Sequence, residues 1–193
     1  YNRRLGPWRN VGETMKTVSC KVSEKDGNAV LCFEREIELG ADYVLTYTVN
    51  SKGQVLVSAD YTPTAEDLPL MPKFGMKMQI DPEMDEITWY GKGIHENYPD
   101  RKSSEFIGLY SLPLDEFAVS YPAPQENGNR CDVRWMSFSN GDLNLRIDGL
   151  QPLCFRAWPW SEEDIEGAGH PHELPERDFI NVNIDFKIHG VGG

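Results

Sequence analysis

The clearest pattern in the chain lies near its end. Along residues 180–188, Ile180, Val182, Ile184, Phe186 and Ile188 alternate with Asn181, Asn183, Asp185 and Lys187. A period of two puts successive side chains on opposite faces of an extended backbone, so this stretch predicts a strand with one apolar and one polar face. The same period recurs upstream. Tyr43, Leu45, Tyr47 and Val49 share a face before Asn50-Ser51-Lys52-Gly53, a hairpin loop by composition, and Val55, Val57, Ala59 and Tyr61 share a face on the return. Residues 29–39 form a strand ended by Gly40, and Phe74, Met76, Met78 and Ile80 alternate with Lys77, Gln79 and Asp81. Residues 85–90 form a short strand closing on Trp89-Tyr90, and residues 106–110 and 116–120 are weaker strand candidates.

Residues 121–135 read Y-P-A-P-Q-E-N-G-N-R-C-D-V-R-W. Pro122 and Pro124 restrict the backbone, and Gly128 offers a positive-φ position, so a rigid polar corner leads into a strand. That strand is expected to carry Arg130, Asp132 and Arg134 on one face and Cys131, Val133 and Trp135 on the other. Parity switches at Trp135-Met136, which calls for a bulge or a strand covered on both faces. Ser139-Asn140-Gly141-Asp142 is the strongest short hairpin signal, with Leu143, Leu145 and Ile147 alternating beyond it. Ser161 with Asp164 three residues on forms a capping-box signature for one short helix ending at Gly167. Residues 1–12 lack periodicity and read as a linker from an upstream element, leaving residues 13–193 as one domain. Ten or more strands against one short helix predict an all-β fold, a large antiparallel β-sandwich with a solvated polar face.

Composition narrows the function classes. The 193 residues carry a net charge of −12, which disfavours nucleic acid and anionic membranes as partners. The apolar runs are a few residues long, too short to span a bilayer as a helix. Cys20, Cys32, Cys131 and Cys154 include no C-x-x-C pair and read as small core residues. A first residue that is not methionine fits an excised piece of a longer chain, and the compartment stays open.

Candidate chemistry concentrates in loops. Glu126 and Asn127 with Arg130 offer the planar carboxylate, amide and guanidinium groups that serve sugar hydroxyls well. Polar loop networks usually serve structure, however, and a corner in which they satisfy the backbone and each other is the favoured reading. His95-Glu96-Asn97 repeats the theme, but adjacent residues on an extended chain point apart. His170-Pro171-His172-Glu173 places two imidazoles near a carboxylate without a defensible third metal ligand. His189 stands at a strand end. Neither a G-x-S-x-G nucleophile elbow nor a dinucleotide glycine pattern occurs.

At these residues the chain resembles the C-terminal, small-chain (domain 5-like) domain of lactase-type β-galactosidases of glycoside hydrolase family 2. The resemblance rests on Leu70-Met71-Pro72-Lys73-Phe74-Gly75-Met76, on Trp89-Tyr90-Gly91 through His95-Glu96-Asn97-Tyr98 to Asp100-Arg101, and on Pro124-Gln125-Glu126-Asn127-Gly128-Asn129-Arg130 with Asp132-Val133-Arg134-Trp135. His170-Pro171-His172-Glu173-Leu174 and Gly190-Val191-Gly192-Gly193 complete it, with Ile94 departing from a usual proline. It implies a galactose-mutarotase-like supersandwich that is accessory to catalysis. The two glutamates of the retaining mechanism belong to a TIM barrel earlier in the family's chain, and the tryptophan lent to the active site follows the Gly-Val-Gly-Gly turn, beyond Gly193. By the same resemblance no cofactor belongs to this domain, the Mg and Na commonly used by the full-length enzyme sit at sites outside this chain, and the partners are the barrel and other domains of the same chain, galactosides, and further copies in a homo-oligomer. No residue of this chain is expected to be catalytic; Glu126, Asn127, Arg130, His95, Glu96 and His172 are the sugar-binding candidates. A free-standing aldose 1-epimerase, pairing His95, His170 or His172 with Glu96, Glu126 or Glu173, is the alternative enzyme reading, and a sugar-binding module without chemistry is a third.

Overall fold

A computed structural model describes residues 5–189. The closing Gly190-Val191-Gly192-Gly193 motif and the first four residues of the expected linker lie outside them. The all-β expectation holds. Among the described residues ten strands form two antiparallel sheets, with a few short helical turns before the first strand and within the second sheet's connections, consistent with an all-β sandwich. The chain divides into two compact units at the Pro72–Lys73 bond.

The first unit is a four-stranded meander: β1 (Lys16–Lys25), β2 (Asn28–Ile37), β3 (Ala41–Val49) and β4 (Val55–Pro63), adjacent in that order. Gly53, at φ 78°, closes the β3–β4 hairpin, where Asn50 Oδ1 accepts from the Lys52 and Gln54 amides. The described part of the segment read as a linker, residues 1–12, is built of turns. Gly6–Trp8 forms a 3-10 turn and Val11–Thr14 a single helical turn (α1), with the Trp8 indole N–H bonded to the Pro69 carbonyl at 3.0 Å.

The second unit is a six-stranded sheet ordered β5-β10-β9-β8-β6-β7. Its strands are β5 (Lys73–Ile80), β6 (Glu86–Lys92), β7 (Ile107–Pro113), β8 (Arg130–Ser139), β9 (Asn144–Trp158) and β10 (Ile180–Ile188). The alternation read at residues 180–188 is what lets β10 enter the interior. Ile180, Val182 and Ile184 join Ile87, Trp89, Val133, Met136, Phe138, Phe155 and Ala157 in one buried cluster. The residues between them, Asn181, Asn183 and Asp185, face the other way and are nonetheless 2% exposed. Buried polar groups of that kind require partners.

Three sequence expectations fail locally. Residues 116–120 are not a strand: Leu114–Phe117 is a helical turn (α2) that sends Phe117 against Trp89 at 5.4 Å and Phe155 at 5.2 Å between ring centroids. The alternation over residues 180–188 breaks after Asp185, where the β10–β5 register shifts and Phe186 is left exposed, while the strand returning from the Asn140-Gly141 turn runs on as the fifteen-residue β9. Strict alternation from Arg130 also breaks, because Asp132 adopts φ 54° and the β8–β9 register shifts on either side of Val133. A bulge inserts extra residues and resets parity. Arg130 and Val133 therefore both turn to the main cluster, while Cys131 joins Tyr98, Cys154 and Ile188. The expected parity change thus falls just before Trp135.

Candidate functional site

On the polar face of β10 the side chains converge on one guanidinium. Arg156, paired with Asn183 across the β9–β10 ladder, is 1% exposed. It donates through Nη1 to Glu126 and through Nη2 to Glu162 Oε1 at 3.0 Å, and its Cζ lies 3.8 Å from the Trp158 ring centroid. Glu162 opens α3 (Glu162–Gly167), the helix that the Ser161–Asp164 capping box starts as the sequence foretold. The cap thus aims the first-turn carboxylate at the sheet. Asn183 Nδ2 donates to Glu162 Oε1 and Asn181 Nδ2 to Oε2, both at 3.0 Å, while Lys73 Nζ donates to Asn183 Oδ1 at 2.9 Å.

The electrostatics follow from this crowding. Burial works against the Glu162 carboxylate, yet the Asn183 bond and the Arg156 charge hold it at about 2. Burial pushes Asp185 up to about 6, only partly opposed by Lys73 and Arg156, and its Oδ2 has no donor among the described residues. Burial and the neighbouring Arg156 lower the Lys73 ammonium. Beside this network opens a cleft of ≈ 380 Å³, whose walls include Gln125, Glu126, Arg156, Trp158 and Glu162.

The sequence-derived candidates separate into distinct places. Only Glu126 lines the cleft, where it also accepts from the Tyr98 hydroxyl at 3.3 Å. Asn127 is buried: its Oδ1 accepts from the Val119 amide and its Nδ2 donates to the Gln125 carbonyl. Arg130 is buried beneath the corner, where Nη1 reaches the Gly128 carbonyl at 2.8 Å and Cζ sits 4.3 Å from the Phe117 ring centroid. Burial lowers its guanidinium to about 10. Glu96 ties two loops together. It accepts from the Gly128 amide at 2.8 Å, from Arg101 at 3.0 Å and from the Tyr121 hydroxyl. His95 projects to solvent beside Glu105 at 3.4 Å. His172 stacks on His170 with centroids 5.6 Å apart, and Glu173 accepts from the Gly169 and His170 amides. No histidine lines the cleft.

Sequence reading missed Lys73, Arg156, Trp158 and Glu162. The available signal was the Asn181-Asn183-Asp185 row, a polar face on a strand whose other face is core. Among the described residues no group of three or more His, Cys, Asp or Glu is arranged for a metal, and no helix is long and apolar enough to cross a membrane.

An all-β chain with this polar cluster joins a recognised class when set beside known proteins. The family model of the β-galactosidase small chain matches residues 2–193, and the chain belongs to that family. It is similar to β-galactosidases of Priestia megaterium (31% identical over 195 residues), Lactobacillus delbrueckii subsp. bulgaricus (34% over 197) and Pseudoalteromonas haloplanktis (33% over 190). These matches take in 100%, 100% and 98% of this chain but only 19%, 19% and 18% of the relatives, so the chain spans about a fifth of their length.

Proposed function

We propose that the chain serves as an accessory domain of a β-galactosidase, packing beside a catalytic barrel and helping to shape the galactoside site without performing hydrolysis itself. The observation that carries this reading is the small-chain match along residues 2–193, against relatives about five times longer. The chemistry of the cluster supports it. Retaining hydrolysis needs one carboxyl held protonated and another free as nucleophile, about 5 Å apart. Here Glu126 and Glu162 share Arg156, and Glu162 is held as the anion at about 2. The purified chain should therefore leave a chromogenic β-galactoside intact. Turnover that persists through further purification would overturn the proposal.

A sugar-binding role is favoured by one specific feature, the open cleft where Glu126 and Glu162 stand beside Gln125 and the Trp158 ring. Carboxylate and amide oxygens are natural acceptors for hydroxyls. Galactose titration followed by NMR should then move the Trp158 indole N–H and the Gln125 side-chain amide. Unmoved resonances at high galactose would eliminate this role and leave the accessory one standing.

A further inference from the structure

We propose that Cys131 and Cys154 form a reversible dithiol–disulfide pair, closed by hydrogen peroxide, that staples β8 to β9 at the bulge. The ladder pairs Arg130 with Phe155 and then Val133 with Leu153, so Cys131 and Asp132 together stand opposite Cys154. The two Sγ atoms are 3.4 Å apart in a small cluster closed by Tyr98 and Ile188. A disulfide needs about 2.04 Å, so closure requires a movement of roughly 1.4 Å between sulfurs already in contact on neighbouring strands. The other two cysteines have no such option. Cys20 pairs with Phe33 and Cys32 with Lys21 on adjacent strands, which puts their side chains on opposite faces of the first sheet.

The surroundings supply an attacking thiolate and a waiting thiol. Cys154 Sγ donates to Cys131 Sγ at 3.4 Å, Cys131 Sγ donates to the Asn97 carbonyl at 3.5 Å, and Asn129 Nδ2 donates to Cys131 Sγ at 3.4 Å. Lys102, held by Asp132 at 2.9 Å, brings a positive charge near Cys131, against which Asp132 and Asp185 set negative charge on the pair. When Cys154 gives up its proton the Cys131 S–H, 3.4 Å away, is placed to turn and donate to it, which favours the Cys154 thiolate. Cys154 is also the more exposed of the two, at 8% against 1%, so a small neutral oxidant reaches it first. Its thiolate attacks one peroxide oxygen, breaking the O–O bond and giving a sulfenic acid and hydroxide. Cys131 then attacks that sulfur, forming the S–S bond and releasing water. In total two thiols and one peroxide give one disulfide and two waters.

The test is peptide mapping of the protein at its natural length. Reduced protein is exposed to hydrogen peroxide, residual thiols are alkylated, and trypsin is applied without reductant. Residues 131–134 and 147–156 are tryptic fragments, each holding one of the two cysteines. They should appear as a linked pair, lighter than their sum by two hydrogen atoms and separated again by dithiothreitol. Recovery of both fragments singly, as alkylated thiols or as sulfinic acids, would overturn the proposal. In Cys154→Ala the linked pair must vanish and Cys131 must stay unlinked; a Cys131 bond to Cys20 or Cys32 would equally overturn the assignment.

Discussion

Arg156 Nη2 and Glu162 Oε1 meet at 3.0 Å, joining the middle of the second sheet to the first turn of α3. The arginine is 1% exposed and the glutamate side chain 31%, so the pair stands at the margin where charge attraction is only partly screened. Because the same guanidinium also serves Glu126, its planar fork rather than its charge alone organises the cleft wall.

Arg156→Met should therefore destabilise the chain by about 2–4 kcal/mol, since two carboxylates lose their shared partner. Arg156→Lys should restore less than half of that loss, because one ammonium cannot span both. Urea midpoints of the two variants check this. A lysine variant as stable as the parent would show that charge alone suffices.

Two carboxyls give opposite pH dependences. Glu162 is held at about 2, below its ordinary 4.5, so its stabilisation is complete above 4.5 and disappears as pH falls toward 2. Asp185 is raised to about 6 from 3.8, so its contribution is complete below 3.8 and is lost as pH rises through 6. Glu162→Gln should flatten the acid side of a stability–pH curve, and Asp185→Asn should flatten the interval between 4 and 6. Curves from chemical unfolding across pH 2.5–7 would contradict this if either variant kept the parent's slope in its own window.

Gly75 permits the β5–β10 approach. A Cβ there would stand 2.3 Å from the Ile184 carbonyl oxygen and 2.6 Å from the Asp185 Cα, contacts with backbone that cannot swing aside. Gly75→Ala should cost about 1–3 kcal/mol through overpacking. Amide exchange in residues 180–188 should accelerate with it, and unchanged protection there would refute the assignment.

Asn97 couples the two polar loops. Its Oδ1 accepts from the Cys131 amide at 2.9 Å, and its carbonyl accepts from Asn129 Nδ2 at 2.7 Å. Asn97→Ala leaves the buried Cys131 donor unpaired, for a loss of about 1–3 kcal/mol. A double-mutant cycle with Asn129→Ala should give a coupling of more than about 0.5 kcal/mol. Strict additivity would mean that the loops act independently.

What the sequence revealed and what it hid divides along the range of the interactions. The β10 alternation as far as Ile184, the Asn140-Gly141 turn and the Ser161–Asp164 cap are local, and each was legible because neighbouring residues decide it. The burial of Arg130 was not legible, because it depends on a bulge at Asp132 whose positive φ no residue type at that position announces. Residues 116–120 have the composition of a weak strand, but Phe117 gains more by packing on Trp89 and Phe155 from a helical turn. The candidate site suffered most. Glu126 was picked from its loop, but Arg156, Glu162 and Lys73 are brought to it from β9, α3 and β5, residues far apart in the chain.

The strand order has a consequence for how the chain is made. Among the described residues strand β5 has a single neighbour, β10, and Ile80 pairs with Ile180, a hundred positions further along the chain. During vector synthesis β5 leaves the ribosome long before its partner exists. Until residues 180–188 emerge, Met76, Met78 and Ile80 lie on a strand with open hydrogen-bonding groups on both sides. Such a segment is a template for wrong partners, and late closure of non-local pairs is intrinsically slow. Assembly of the second sheet therefore waits on the last strand translated among those described, and nascent chains stalled before it are the species on which a holding chaperone would act.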